Sequence, residues 1–481
     1  MKQSSIKMNF VYQLLYDVLI MILPFFTSPY IARVIGAEGL GIYSYYSSIA
    51  TYFVLFSVLG LKNYGNRTIA RCRDNSEELN KTFSNLLCLH LLISLVCSVV
   101  YLGCALTSDS RERIYVLIMT LQVLSGMFDI SWFYFGIERF KLTVSINTVI
   151  KFLNLFCVFT LVKSQADLWV YCLIMAAGTL LSQVALWFPL RKYVKFVAPS
   201  LRGMFVHLKP MLILFVPSIA VSLYKYMDKI MIGSVSSKIQ LGFYENAEKV
   251  INIPITVITS FGTVMLPKMS NMLAVKDQSE SRRYLKVSML YVMWMAYALA
   301  FGLAGVASVF APVFWGTEFR LSGSIIIGLS ITIPFMSFAN VIRTQFLIPS
   351  GKDREFLVSV VSGAVVNLII NALLIPSMGS VGATIGTIAA EITVCIIQCF
   401  SVRKEIPLLS YFKQSVFFIA VGIVMMLLVH GIGIFVGETV IALFIQVICG
   451  GIVYITISGL YFWKTKEETF INMVNRARRV E

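Results

Sequence analysis

Predominantly apolar runs of about 20 residues recur from one end of this chain to the other, and each is long enough to cross roughly 30 Å of hydrocarbon as a helix. Of its 481 residues 58% are hydrophobic and 13% charged, against about 25% charged in an ordinary soluble domain. A soluble globular fold cannot hide that much apolar surface. A β-barrel would need strands of about ten residues alternating apolar and polar side chains, and stretches such as Met211–Leu223 and Ile441–Ile457 do not alternate. The fold class is therefore an all-α polytopic membrane protein with about fourteen transmembrane helices. The spans fall near 8–33, 41–61, 83–106, 114–135, 142–163, 168–190 and 211–234. The remainder fall near 241–266, 286–311, 323–348, 355–376, 381–401, 412–436 and 439–463.

A net charge of +16 would suit a nucleic-acid binder if it were gathered on one surface. Instead the basic residues sit in short segments between apolar runs, and they alternate. One set of loops holds Lys62, Arg67, Arg71, Arg73, Lys81, Arg139, Lys141, Arg191, Lys192, Lys268, Arg282, Lys352, Arg354, Arg403 and Lys404, and both termini belong to it. The opposite set includes only Arg111, Arg113, Lys163, Lys238, Arg320 and little else. By the positive-inside rule the first set and both termini are cytoplasmic, which requires an even number of crossings. The nine cysteines show no CxxC or zinc-ligand spacing, so neither a metal site nor a disulfide framework is expected. The first apolar stretch carries Asp17 and Pro24 with no small-residue cleavage site after it; it reads as a retained membrane helix rather than a signal peptide.

The chain carries traces of an internal repeat. Gly39-Leu-Gly-Ile-Tyr43 opens helix 2 and Leu241-Gly-Phe-Tyr244 opens helix 8, with the two tyrosines 201 positions apart. Pro24 in helix 1 has a counterpart in Pro217 of helix 7, and Gly136-Ile-Glu-Arg139 one in Gly351-Lys-Asp-Arg354. The organisation that follows is an N-lobe of helices 1–6 over residues 1–200 and a C-lobe of helices 7–12 over 201–405. Residues 406–481 form helices 13–14 and a basic tail. Six crossings per lobe make the repeats parallel, the arrangement of alternating-access transporters with a midplane site. In the tail, Phe470, Ile471 and Val474 are spaced for one helix face, which suits either the anionic leaflet or plain solvation.

An ionisable side chain inside a membrane helix costs at least about 2.5 kcal/mol, so each is a functional hypothesis. Asp17, Asp129, Lys151, Lys225, Asp228, Lys229, Glu245, Glu248, Lys249, Arg343 and Glu391 all fall within expected spans, and Asn367 and Asn371 share one face of helix 11. Bland readings compete. Lys225, Asp228 and Lys229 are spaced to pair along one helix, as are Glu245 and Lys249, and Lys229 and Arg343 lie near enough to span ends to snorkel. Lys151, Glu391 and Asp17 have no opposite charge within a turn; these three face a watery cavity or pair across helices. Trp132, Tyr134, Tyr43, Tyr45 and Tyr46 fit an interfacial aromatic belt better than sugar platforms. His90 and His430 read as packed or hydrogen-bonded rather than proton-relaying.

Pro24-Phe-Phe-Thr-Ser-Pro-Tyr-Ile-Ala-Arg-Val-Ile-Gly36 followed by Gly39-Leu-Gly-Ile-Tyr43 resembles the bacterial polysaccharide transporter family, the Wzx-type flippases of O-antigen and capsule repeat units. Tyr64-Gly-Asn-Arg67, Asp228-Lys-Ile-Met-Ile-Gly233, Arg343 to Gly351, Pro376, Gly382-Ala383 and Glu391 extend the resemblance over nearly the whole chain. That family belongs to the multidrug/oligosaccharidyl-lipid/polysaccharide exporter superfamily. The resemblance implies two pseudo-symmetric six-helix lobes in a V plus two extra C-terminal helices. It implies a non-enzymatic transporter in the bacterial cytoplasmic membrane that needs no cofactor. The implied substrate is an undecaprenyl-diphosphate-linked oligosaccharide, moved from the cytoplasmic to the outer leaflet. Membrane lipids, a polysaccharide polymerase and other assembly proteins are the implied partners, and nucleic acid is not one.

The substrate sets its own physical demand. Its glycan and diphosphate cannot cross hydrocarbon, whereas its tail can stay there, so cationic side chains must offset desolvation of the phosphates. Lys151, Lys225, Lys249 and Arg343 are the candidates for the diphosphate and glycan, with Arg33 and Lys229 behind them. Asp17, Asp129 and Glu391 are candidates for coupling to an H+ or Na+ gradient; the membrane potential alone is the other energy source, at about 2.3 kcal/mol per charge per 100 mV. A cation-coupled multidrug exporter of the same superfamily is the competing function, kept alive by Asp17. An ATP-driven exporter is excluded, since the chain has no GxxxxGK[ST] loop.

Overall fold

The computed structural model describes residues 6–107, 109–110, 112–274, 278–467 and 470–471. Among them there are helices and turns and no strand. The first helices are α1 (Ile6–Val58), α2 (Leu61–Cys72), α3 (Ser76–Leu106), α4 (Arg113–Met127), α5 (Ser131–Gly136), α6 (Phe140–Leu161) and α7 (Leu168–Ala185). The chain continues through α8 (Leu201–Phe205), α9 (Leu208–Met231), α10 (Lys238–Ala274), α11 (Gln278–Trp315), α12 (Arg320–Ser330) and α13 (Thr332–Ile342). It ends with α14 (Asp353–Met378), α15 (Ser380–Val402), α16 (Leu408–Val436) and α17 (Val440–Lys464).

Twelve segments of the described residues are long and apolar enough to cross a membrane. The first of them holds two expected spans, divided at Gly36, whose φ of 71° and ψ of −179° break α1 internally. A residue with a Cβ is strained at that φ. With the division at Gly36, and with α9 standing outside the twelve, the helices make up the fourteen expected. The chain is a multi-pass membrane protein.

Several stretches that read as loops or single spans are built differently. The basic segment after Gly60 is a short amphipathic helix, α2, burying Leu61, Tyr64, Ile69 and Cys72. The fourth span is broken between α4 and α5 at Phe128–Ile130. Backbone groups freed inside a membrane must find other partners, and here side chains supply them. His90 Nε2 donates to the Gly126 carbonyl at 2.9 Å and Trp187 Nε1 to that of Phe128 at 2.9 Å. Asp129 accepts from the Ser131 N–H at 2.9 Å. Trp132 and Tyr134, expected in an interfacial belt, are fully buried. They pack with Phe83 and Phe133 around this break.

The chain divides into two compact units, residues 1–245 and 246–481. The repeat-based boundary at 200 differs because α9 packs on α1 and α2: Tyr64 hydrogen-bonds His207 at 2.8 Å and Tyr52 donates to the Ser222 carbonyl at 3.2 Å. In the first unit α1, α3, α4 and α7 form the core packing; in the second, α14 lies along α15, and α11 contacts α12, α13, α16 and α17. Each of three ion pairs joins two helix ends that the charge pattern assigns to the same side, Arg73–Glu138 at 2.6 Å and Lys352–Glu405 on the basic-loop side and Arg320–Glu438 at 2.8 Å on the other. After α17 the chain folds back. Glu467 accepts from Tyr291 at 2.6 Å, and Phe470 packs on Phe462 with ring centroids 5.6 Å apart. Phe470 is thus spent on the protein rather than the leaflet; Val474 lies outside the described residues.

Candidate functional site

The repeat-related glycine motifs meet each other inside the first unit. After the break at Gly36, the backbone of α1 passes so close to the start of α10 that a Cβ at Gly41 would overlap the Lys238 carbonyl. A Cβ at Gly242 would likewise overlap the Ala37 carbonyl. These two contacts are one contact seen twice. Ala37 and Lys238 are 201 positions apart, and so are Gly41 and Gly242. The crossing therefore has a local pseudo-two-fold axis, the isologous geometry in which each partner meets the other's equivalent. Ser44 and Glu245 face each other across that axis: the Ser44 hydroxyl donates at 2.7 Å to Glu245, its own counterpart 201 residues on.

Charged and aromatic groups surround the crossing. Lys229 Nζ donates to the same Glu245 oxygen at 2.7 Å, and both side chains are buried. Tyr244 donates to Asp228 at 3.0 Å. Lys238 caps the Gly233 carbonyl at 3.0 Å and lies 3.0 Å above the Tyr45 ring, while Tyr46 donates to Glu112. Gly233 allows this packing, since a Cβ there would run into the Tyr45 ring.

Of the expected diphosphate-binding residues, the structure brings Lys229 into this cluster. Lys225, one turn earlier, is exposed with its ammonium 5.8 Å from the Tyr226 ring centre. Arg33 is exposed just before the Gly36 break. Lys151 is half-buried on α6 and has no polar partner among the described residues. Lys249 and Arg343 belong to the second unit, both half-buried. Arg343 sits in a π-turn after α13, donates to Asn340 at 2.7 Å and faces the Phe356 ring at 5.6 Å.

The acidic candidates also separate. Asp129 is buried, faces Lys62 at 3.4 Å and holds the helix break described above. Glu391 is buried on α15 with no hydrogen bond or ion pair among the described residues. The side chain of Asp17 lies outside the described residues. Ser44, Glu112 and Lys238 were not singled out in the sequence. The signal for Ser44 was present: adding the repeat offset of 201 to it lands on the intramembrane Glu245.

A family model described as "Polysaccharide biosynthesis protein" matches residues 6–273. A Shigella dysenteriae protein named as an O-antigen transporter is 23% identical over 79% of this chain and 96% of its own length. A solved lipid II flippase MurJ, in an inward closed conformation, superposes with a TM-score of 0.79 at 16% identity, over 95% of this chain and 100% of the other. An inward-facing multidrug resistance MATE family transporter of the MOP superfamily superposes with a TM-score of 0.57 at 14% identity, over 81% of this chain and 99% of its own. The fold is thus that of the MOP transporters.

Proposed function

We propose that this chain, which belongs to the polysaccharide biosynthesis protein family, is a flippase for lipid-linked oligosaccharides in a bacterial cytoplasmic membrane. The observation that carries the reading is the match, over 79% of this chain and 96% of the other, to a protein named as an O-antigen transporter. The fold of a lipid II flippase is consistent with it. The substrate is an oligosaccharide repeat unit on undecaprenyl diphosphate, moved from the cytoplasmic to the outer leaflet for O-antigen or capsule synthesis. Both termini are cytoplasmic on this reading, as the basic loops require. The α1–α10 crossing then lies at the outer end of the molecule, where it keeps the path shut until a loaded headgroup arrives. Opening separates Gly41 from Lys238 and Gly242 from Ala37, and exposes Glu245 and Lys229 to the headgroup's water.

Cations inside the membrane spans suit a diphosphate as cargo. Lys151, Lys225, Lys249, Arg343 and Arg33 supply the charge that offsets desolvation of the phosphates. Neutralising two of them, as Lys151→Gln with Arg343→Gln, is expected to slow translocation by more than about tenfold, at about 1.5 kcal/mol or more per charge-assisted contact. Unchanged translocation at normal protein level would remove these residues from the path. Coupling to an H+ or Na+ gradient falls to Asp17, Asp129 or Glu391. Deleting the gene tests the function itself. A diphosphate-linked oligosaccharide should accumulate on the inner leaflet while its polymer disappears, and a strain whose lipid-linked intermediates are unchanged would contradict the assignment.

A further inference from the structure

The second unit contains a cavity of about 760 Å³ with an almost wholly apolar lining, bounded by α11, α12, α13, α15 and α16. Its volume is in the range of built ligand sites. Along α16 its lining runs from Leu408 to Met426, about 27 Å at the helix rise, which is one leaflet's hydrocarbon and part of the next. Leu409 and Phe412 line it and are also exposed, so it opens sideways where lipid would stand.

The mouth of the cavity is basic. Cys395 and Cys399 line it from α15; one turn further on the same face comes Arg403, exposed and stacked on Phe400 at 3.7 Å. Lys413 follows the lining residue Leu409 by one turn of α16, and Lys404 is exposed in the connection. The acid of this connection, Glu405, is taken by Lys352. Arg403, Lys404 and Lys413 have no acidic partner among the described residues. A dry apolar slot with uncompensated cations at its rim is built for an amphiphile with an anionic head.

We propose that this cavity holds the acyl chains of an anionic glycerophospholipid from the leaflet on the basic-loop side, with its phosphate against Arg403, Lys404 and Lys413. The apolar lining suits aliphatic chain, and the sideways opening lets the rest of the lipid stay in the bilayer. On this proposal the occupant is a resident lipid rather than the transported substrate.

The test is native mass spectrometry of the full chain in mild detergent, with phosphatidylglycerol and phosphatidylcholine supplied at equal concentration. Phosphatidylglycerol should be retained about thirtyfold better, at about one decade and a half for two rim charges. An Arg403→Gln/Lys413→Gln variant, altered only at exposed positions, should bring that preference close to parity. Ala300→Phe, which fills the cavity, should release both lipids. Equal retention of the two lipids by the unaltered chain would overturn the proposal. So would a preference that survives the rim variant, or a co-purifying polyprenyl phosphate in place of the glycerophospholipid.

Discussion

A Gly242→Val variant is expected to reach the membrane at near-normal levels and to translocate its substrate at least about a hundredfold more slowly. A Cβ at this position meets the Ala37 carbonyl oxygen, carbon and Cα rather than the tip of a flexible side chain. Backbone cannot step aside as a rotamer can, so the closed crossing is penalised by about 3 kcal/mol or more, which is about two decades in its population. The rest of the first unit packs through contacts this change does not touch, so the protein should still fold. The reciprocal Gly41→Val should behave alike, because Gly41 stands in the same relation to Lys238. Gly103→Ala is the control, since nothing lies within 4 Å of a Cβ there. Normal translocation by both valine variants would show that the crossing does not need to close.

Lys229→Met should cost up to about 3–5 kcal/mol of stability, the upper range for removing one member of a buried ion pair. Glu245 would keep the Ser44 hydroxyl at 2.7 Å but lose the ammonium that neutralises it. The melting temperature of the purified protein should fall accordingly. Adding Glu245→Leu should return most of the loss, because the buried charge then disappears with its partner. A double variant as unstable as the sum of the two single variants would mean that the residues act separately. Stability recovered without recovered transport would mark the pair as part of the closing device rather than as a prop for the fold.

The bundle was legible because membrane helices announce themselves by length and apolarity, and the 201-residue offset was legible from Tyr43 and Tyr244. That the two motifs touch was not, since a repeat in sequence does not say whether its symmetry axis passes through the repeated residues. Ser44 illustrates the point. An unremarkable serine one position past a tyrosine became the partner of Glu245 once the axis was visible. Asp129 shows the opposite difficulty. An acid in mid-span reads as an ion carrier, and nothing in the sequence shows that this one also accepts from the Ser131 N–H at a helix break that apolarity conceals. The grouping of α9 with the first unit was hidden for a related reason: the repeat places a boundary by spacing in the sequence, whereas packing places it by contact.

Movement of a diphosphate-linked glycan between leaflets can be followed directly by reconstitution. Purified protein would be placed in liposomes carrying an undecaprenyl-diphosphate-linked oligosaccharide from the deletion strain, and the fraction of glycan open to an impermeant glycan-cleaving enzyme would be followed with time. The protected pool is expected to become cleavable when the unaltered chain is present and to stay protected with Gly242→Val. Glycan that remains protected in the presence of active, correctly folded protein would contradict it.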